Sequence, residues 1–124
     1  MEEIRLLLVD DEEDFRTTLA NRLKKRKMDV TGAGSGSEAI ELVRQRSFDV
    51  AIVDVKMPGI GGLELQEHLN AVETKIPIIF ISAYQEKEIS AKAMKAGAKA
   101  FLSKPFDDET LLGEVYSALG IESQ

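Results

Sequence analysis

The sequence predicts an α/β fold, a doubly wound sheet of five parallel strands with five helices distributed over both faces. Three observations carry this. Short apolar runs and amphipathic stretches alternate from one end of the chain to the other. Three of the runs are nearly continuous in Leu, Ile and Val, as in strands covered on both faces, whereas half-solvated strands alternate. The length, 124 residues without an internal repeat or a low-complexity segment, suits a single domain over 1–124.

Taken in order, "IRLLLVD" (4–10) is the first strand, and a helical pattern over about 12–27 repeats Leu19 and Leu23 at a spacing of four. "DVTGAG" (29–34) follows, then a helix over 36–46 in which Ser35 and Glu38 form a capping box and Ala39, Ile40 and Val43 make the apolar stripe. "DVAIVD" (49–54) leads through the glycines of "MPGIGGLE" into a helix over 62–72. "PIIFIS" (77–82) precedes a helix over 86–96 that Gly97 stops. "KAFLS" (99–103) and a helix over 107–119, with Leu111, Leu112, Val115 and Leu119 inward, complete the chain. Right-handed crossovers put the ligand site of such a sheet beyond the carboxyl ends of its strands.

Composition narrows the classes. The chain has no Cys, so neither a disulfide framework nor a thiolate metal site is available, which fits a reducing, cytoplasmic setting. The first residues lack a basic leader, and no apolar run approaches a membrane span, so a soluble protein is expected. A net charge of −6 argues against direct nucleic-acid binding by this domain.

The strand ends carry the chemistry. The first strand closes on Asp10 and Asp11, the third on Asp54, the fourth on Ser82, and the fifth runs into Ser103, Lys104 and Pro105. A carboxylate at the end of a buried strand is costly without a partner. Three of them at one sheet edge call for a hard cation such as Mg²⁺, bound through few protein oxygens and several waters, with a phosphoryl group completing the coordination. Lys104 and the Ser82 hydroxyl can then bond phosphoryl oxygens, and Asp54 is the natural nucleophile. Each feature alone has a plainer reading: the acids from Asp10 to Asp14 as a helix start, Lys56 to Gly59 as a turn. Their conjunction at matching strand ends favours the functional one. His68 reads as a solvated helix residue, and the cations from Arg22 to Lys27 as a complement to a helix C-terminus.

With "LLLVDDEED", "DVAIVDVKMPGIGGLEL", "PIIFISAY" and "GAKAFLSKPF" in this order and spacing, essentially the whole chain resembles the receiver (CheY-like) domain of two-component response regulators. The resemblance implies a flavodoxin-like strand order, 2-1-3-4-5. It makes Asp54 the phosphoacceptor, with Asp11 and Asp54 as direct Mg²⁺ ligands (Mn²⁺ as an alternative), Asp10 acting through water, and the backbone carbonyl of Lys56 as the remaining protein ligand. Ser82 matches the switch hydroxyl, Lys104 the phosphoryl-binding lysine and Phe101 the aromatic switch, and the Lys104-Pro105 peptide is expected to be cis. Lys56 and Tyr84, two residues beyond Asp54 and Ser82, flank the path of hydrolytic water and are expected to set the phosphoryl lifetime. Phe15 is a candidate docking residue or, in line with Leu19 and Leu23, a core aromatic.

The implied partners are a sensor histidine kinase or histidine phosphotransfer protein and an output domain or effector, with a phosphorylation-dependent homodimer as an option. The only catalysis implied is of the domain's own phosphorylation and dephosphorylation. Lys56 with Tyr84 resembles single-domain phosphorelay intermediates, and a scaffold that is never phosphorylated is a further alternative. The chain departs from many receivers at Lys27, where they carry Gly at the end of the first helix, and in "GAKAF", which lacks the acidic pair of winged-helix-type regulators. A haloacid-dehalogenase-type phosphatase would need a second Asp where Lys56 stands, and the acids of "DDEED" would repel the phosphate that a flavodoxin cradles.

Overall fold

The structure, a computed structural model, describes residues 3–71, 75–84 and 86–121. Ten elements alternate: β1 (Arg5–Val9), α1 (Glu13–Lys25), β2 (Asp29–Ala33), α2 (Gly36–Gln45), β3 (Val50–Asp54), α3 (Gly62–Asn70), β4 (Ile78–Ser82), α4 (Lys87–Lys95), β5 (Ala100–Ser103) and α5 (Asp108–Ala118). All four strand pairings are parallel, and the order is β2-β1-β3-β4-β5. Every expected element is present, with ends within about two residues of expectation; the third helix ends at Asn70, and position 72, its expected end, lies outside the described residues.

The continuous apolar runs are explained by two cores, one on each face. Leu7, Val9, Ala51, Val53, Ile78 and Phe80 point toward Ala39 of α2, Leu65 and Leu69 of α3 and Ala93 of α4. Their neighbours Leu6, Leu8, Val50, Ile52, Ile79 and Ile81 point the other way, toward Leu19 and Leu23 of α1 and Leu111, Leu112 and Val115 of α5. Every residue of β3 and β4 is buried. At about 1.5–3 kcal/mol for each large side chain buried, these central strands anchor the domain and hold its ends in place.

Local chemistry sets the helix limits. The Ser35 hydroxyl accepts from the Glu38 N–H at 3.1 Å, but Glu38 reaches back to the N–H of Gly34 (2.6 Å), one residue further than in a regular capping box. Helix α1 ends with Lys27 at φ 64°, in the left-handed region. Lys27 N–H bonds the Lys24 carbonyl and Met28 N–H the Leu23 carbonyl, the two bonds of a Schellman cap built without glycine. At the end of α4 the same turn uses Gly97, at φ 105°. Among the described residues, no helix is long and apolar enough to cross a membrane.

Candidate functional site

The register brings the acids together. Val9 pairs with Val53, so the residues that follow, Asp10 and Asp54, leave adjacent strands side by side. Asp10 is fully buried, and its Oδ1 accepts from the Glu12 N–H at 2.9 Å. Asp54 is 6% exposed, and its Oδ1 accepts from the Lys56 N–H at 3.0 Å. Each carboxylate is thus fixed by the turn that follows its strand, which leaves its other oxygen for the site. Gly62 makes the second turn feasible. A Cβ there would stand 2.6 Å from Val55 Cα and 2.9 Å from the Asp54 carbonyl, so only glycine lets α3 start against the back of Asp54.

Lys104 enters from β5. Its N–H donates to the Ser82 carbonyl at 2.7 Å, and the peptide to Pro105 is cis, as expected. Its ammonium lies 2.8 Å from Asp10 Oδ2, 3.2 Å from Glu12 Oε1 and 3.3 Å from Asp54 Oδ2. Burial alone would lower the pKa of Lys104, but the hydrogen bond and charge of Asp10, with the charge of Asp54, outweigh it and hold the ammonium above its ordinary value. Asp54 is pushed above the usual carboxylate range, mainly by burial, with the Asp10 charge adding; the Lys56 N–H and Lys104 oppose this without cancelling it.

Carboxylate oxygens of Asp10, Glu12 and Asp54 lie within 4.8 Å of one another, a set of hard donors. Asp11 is exposed and is not a member of that set. Glu12 takes a place the sequence did not assign to it. Although it is the N-cap of α1, its side chain makes no capping bond and turns to Lys104 instead. Arg16 was also missed: its Nη1 donates to the Asp10 carbonyl at 2.7 Å, and its side chain passes over Gly32 and Gly34, where any Cβ would crowd it at 3.3 and 3.1 Å.

Ser82, 1% exposed, accepts from the Tyr84 N–H at 3.0 Å through its hydroxyl oxygen. Phe101 is half-buried on β5, its ring centroid 6.2 Å from that of Phe80, and it borders a cavity of about 420 Å³ shared with Glu86, Lys87, Ser90, Ala91 and Ser103. The Lys56 side chain finds its partners outside the set of Asp10, Glu12 and Asp54. It forms an ion pair with Glu86 and lies 5.0 Å over the ring of Tyr84, which is 62% exposed. Phe15 is half-buried, its ring centroid 4.0 Å below the Lys104 ammonium and 6.2 Å from that of Phe106.

Comparison with known proteins agrees with this fold. A family model described as the response regulator receiver domain matches residues 6–116. Nodulation protein W of Bradyrhizobium diazoefficiens is 34% identical over 113 residues, which cover 91% of this chain and 50% of that protein. The chain spans about half, or about a quarter, of the length of the curated relatives it matches. Among solved structures, FixJ-N superposes with a TM-score of 0.88 at 29% identity, covering 100% of this chain and 99% of that one. The response regulator protein TrrA of Thermotoga maritima, solved in complex with Mg²⁺-BeF, has a TM-score of 0.84 at 29% identity and covers 94% of this chain and 99% of its own.

Proposed function

This chain belongs to the response regulator receiver domain family, and from that membership we propose that it accepts a phosphoryl group on Asp54 from the phosphohistidine of a sensor kinase or phosphotransfer protein. The observation that supports this reading most is the Lys104 ammonium bridging Asp10 and Asp54 at the ends of three strands. A carboxylate oxygen of Asp54 attacks phosphorus in line. The new P–O bond forms as the P–N bond breaks, and the departing imidazole keeps the electron pair and takes up a proton.

The hard oxygens at the strand ends fit a hard cation. The clustered oxygens are those of Asp10, Glu12 and Asp54; the family pattern adds Asp11, exposed at the same strand end, so that Asp11, Asp54 and the Lys56 carbonyl would hold Mg²⁺, or Mn²⁺ in its place, with Asp10 reaching it through water. When bound, the ion offsets negative charge on the phosphoryl oxygens. Lys104 offsets it from the other side, and the Ser82 hydroxyl, buried one strand away, donates to a phosphoryl oxygen. Moving Ser82 toward that group frees space for Phe101 to turn inward, and the surface made by α4 and α5 changes with it. That surface then controls an output domain or effector protein, or a second copy of the domain. Phe15, on the first turn of α1, lies where partner helices would dock. The domain acts in the cytoplasm and catalyses only its own phosphorylation and dephosphorylation.

The pairing of Lys56 with Tyr84 supports a second reading, a phosphorelay intermediate that keeps its phosphoryl group long enough to pass it on. A non-phosphorylated scaffold is separated from both by one experiment: incubation with acetyl phosphate, with and without Mg²⁺, followed by intact-mass measurement. Gain of one phosphoryl group only with Mg²⁺ supports the acceptor. No gain in either condition leaves the scaffold.

A further inference from the structure

An ammonium has three N–H donors, and Lys104 directs all three at carboxylates: Asp10, Glu12 and Asp54. Its side chain is only 10% exposed. Beside the charge, together with those oxygens, lies the Phe15 ring, with its centroid 4.0 Å from Nζ. A cation so close to a ring centroid, with little water around it, meets the negative face of the π system. Phe15 is held in turn by Phe106, whose ring stands nearly perpendicular to it, at 88°. Phe106 follows Lys104 by two residues, so one short segment supplies both the ammonium and the ring that braces its aromatic seat.

We propose that Phe15 is a positioning residue for Lys104, its π face seating the ammonium so that it stays directed at Asp54 while its carboxylate partners change. The proposal rests on the phosphoacceptor reading. When a phosphoryl group reaches Asp54, Lys104 must exchange at least one carboxylate bond for a phosphoryl oxygen. Hydrogen bonds to carboxylates fix direction, whereas attraction to a ring face varies slowly as the cation slides across it. The ring therefore keeps the ammonium partnered and shielded from water through that exchange. A docking role for Phe15 predicts slower transfer from a protein donor only. A seating role predicts slower transfer from a small donor as well, because the defect lies inside the site.

The test replaces Phe15 with 4-fluoro-, 3,5-difluoro- and 3,4,5-trifluorophenylalanine, which draw electron density from the ring with almost no change in shape. The readout is the rate of labelling by acetyl phosphate in Mg²⁺. The rate should fall stepwise with each fluorine, by about three- to tenfold at the trifluoro ring. Phe15→Tyr should retain the parent rate, and Phe15→Leu should lose at least as much as the trifluoro ring. Independently of phosphorylation, NMR of the Lys104 ε-methylene should show an upfield ring-current shift in the parent and in Phe15→Tyr that is lost in Phe15→Leu. A parent that labels while its rate ignores fluorination overturns the proposal and leaves Phe15 a docking or packing residue. Absence of the ring-current shift also overturns it. A parent that takes no label, yet shows the shift, overturns the acceptor reading and with it the catalytic purpose proposed for the seat.

Discussion

Lys104 Nζ lies 3.3 Å from Asp54 Oδ2, a pairing across fifty positions of sequence, yet the Asp54 carboxyl still sits above its ordinary range because burial outweighs the ammonium. The folded state therefore keeps a proton that the unfolded chain has already released between the unfolded value, about 3.9, and the raised folded one. Stability falls as pH rises through that window. Asp54→Asn removes this loss. The variant should melt above the parent near pH 7, and the difference should shrink as the pH is lowered toward about 4. Melting curves across this range decide the matter: a variant that melts below the parent at neutral pH contradicts burial as the dominant influence. Asp49 has the opposite sign, since its hydrogen bonds from Arg5 hold its pKa down and its contribution is lost as pH falls through the folded value.

Lys27 closes α1 with φ at 64°, a conformation that costs a residue with a Cβ about 1–2 kcal/mol. Its side chain is exposed, so little else is lost on replacement. Lys27→Gly relieves the strain but gives the unfolded chain more freedom, leaving a net gain of about 0.5–1 kcal/mol. Urea unfolding should show a higher midpoint with an unchanged slope. A lower midpoint would mean that Lys27 makes a stabilising contact outweighing its strain.

The Lys56 ammonium is shared between the Glu86 carboxylate and the Tyr84 ring. On a phosphorylated domain it can turn to the phosphoryl oxygens, where it and Tyr84 narrow the approach of water. Lys56→Asn and Tyr84→Ala should therefore shorten the life of the acyl phosphate, each by about three- to tenfold, or near 1 kcal/mol in barrier. Glu86→Gln should lengthen it, because Lys56 loses its competing partner. Decay of phosphorylated protein in Mg²⁺ buffer measures all three. Unchanged decay in the Lys56 and Tyr84 variants, with the fold intact by circular dichroism, removes the shield.

How far the sequence reveals this molecule depends on how local the cause is. The runs of β3 and β4 were legible because burial on both faces leaves only apolar residues to choose from. Ser35 and Gly97 marked helix ends through bonds to residues close by. The order of the strands was not legible from periodicity, since pairing joins distant segments, and it came only with the family resemblance. Asp10, Asp54, Ser82 and Lys104 could be gathered because each closes a strand, and parallel strands bring those ends to one edge. Glu12 escaped because an acid at a helix start already has a local explanation, while its partner Lys104 is ninety-two positions away. Phe15 fitted the spacing of Leu19 and the exposure of a docking residue equally well; only the tertiary fold puts a cation over its ring.

The central claim is that Asp54 is the phosphoryl acceptor, and the most direct measurement compares parent and Asp54→Asn after treatment with acetyl phosphate and Mg²⁺. Intact mass, followed by peptide mapping, should find one phosphoryl group in the parent, on the peptide that contains Asp54, and none in the variant. Equal labelling of the two proteins, or a label mapped to another residue of the parent, would contradict it.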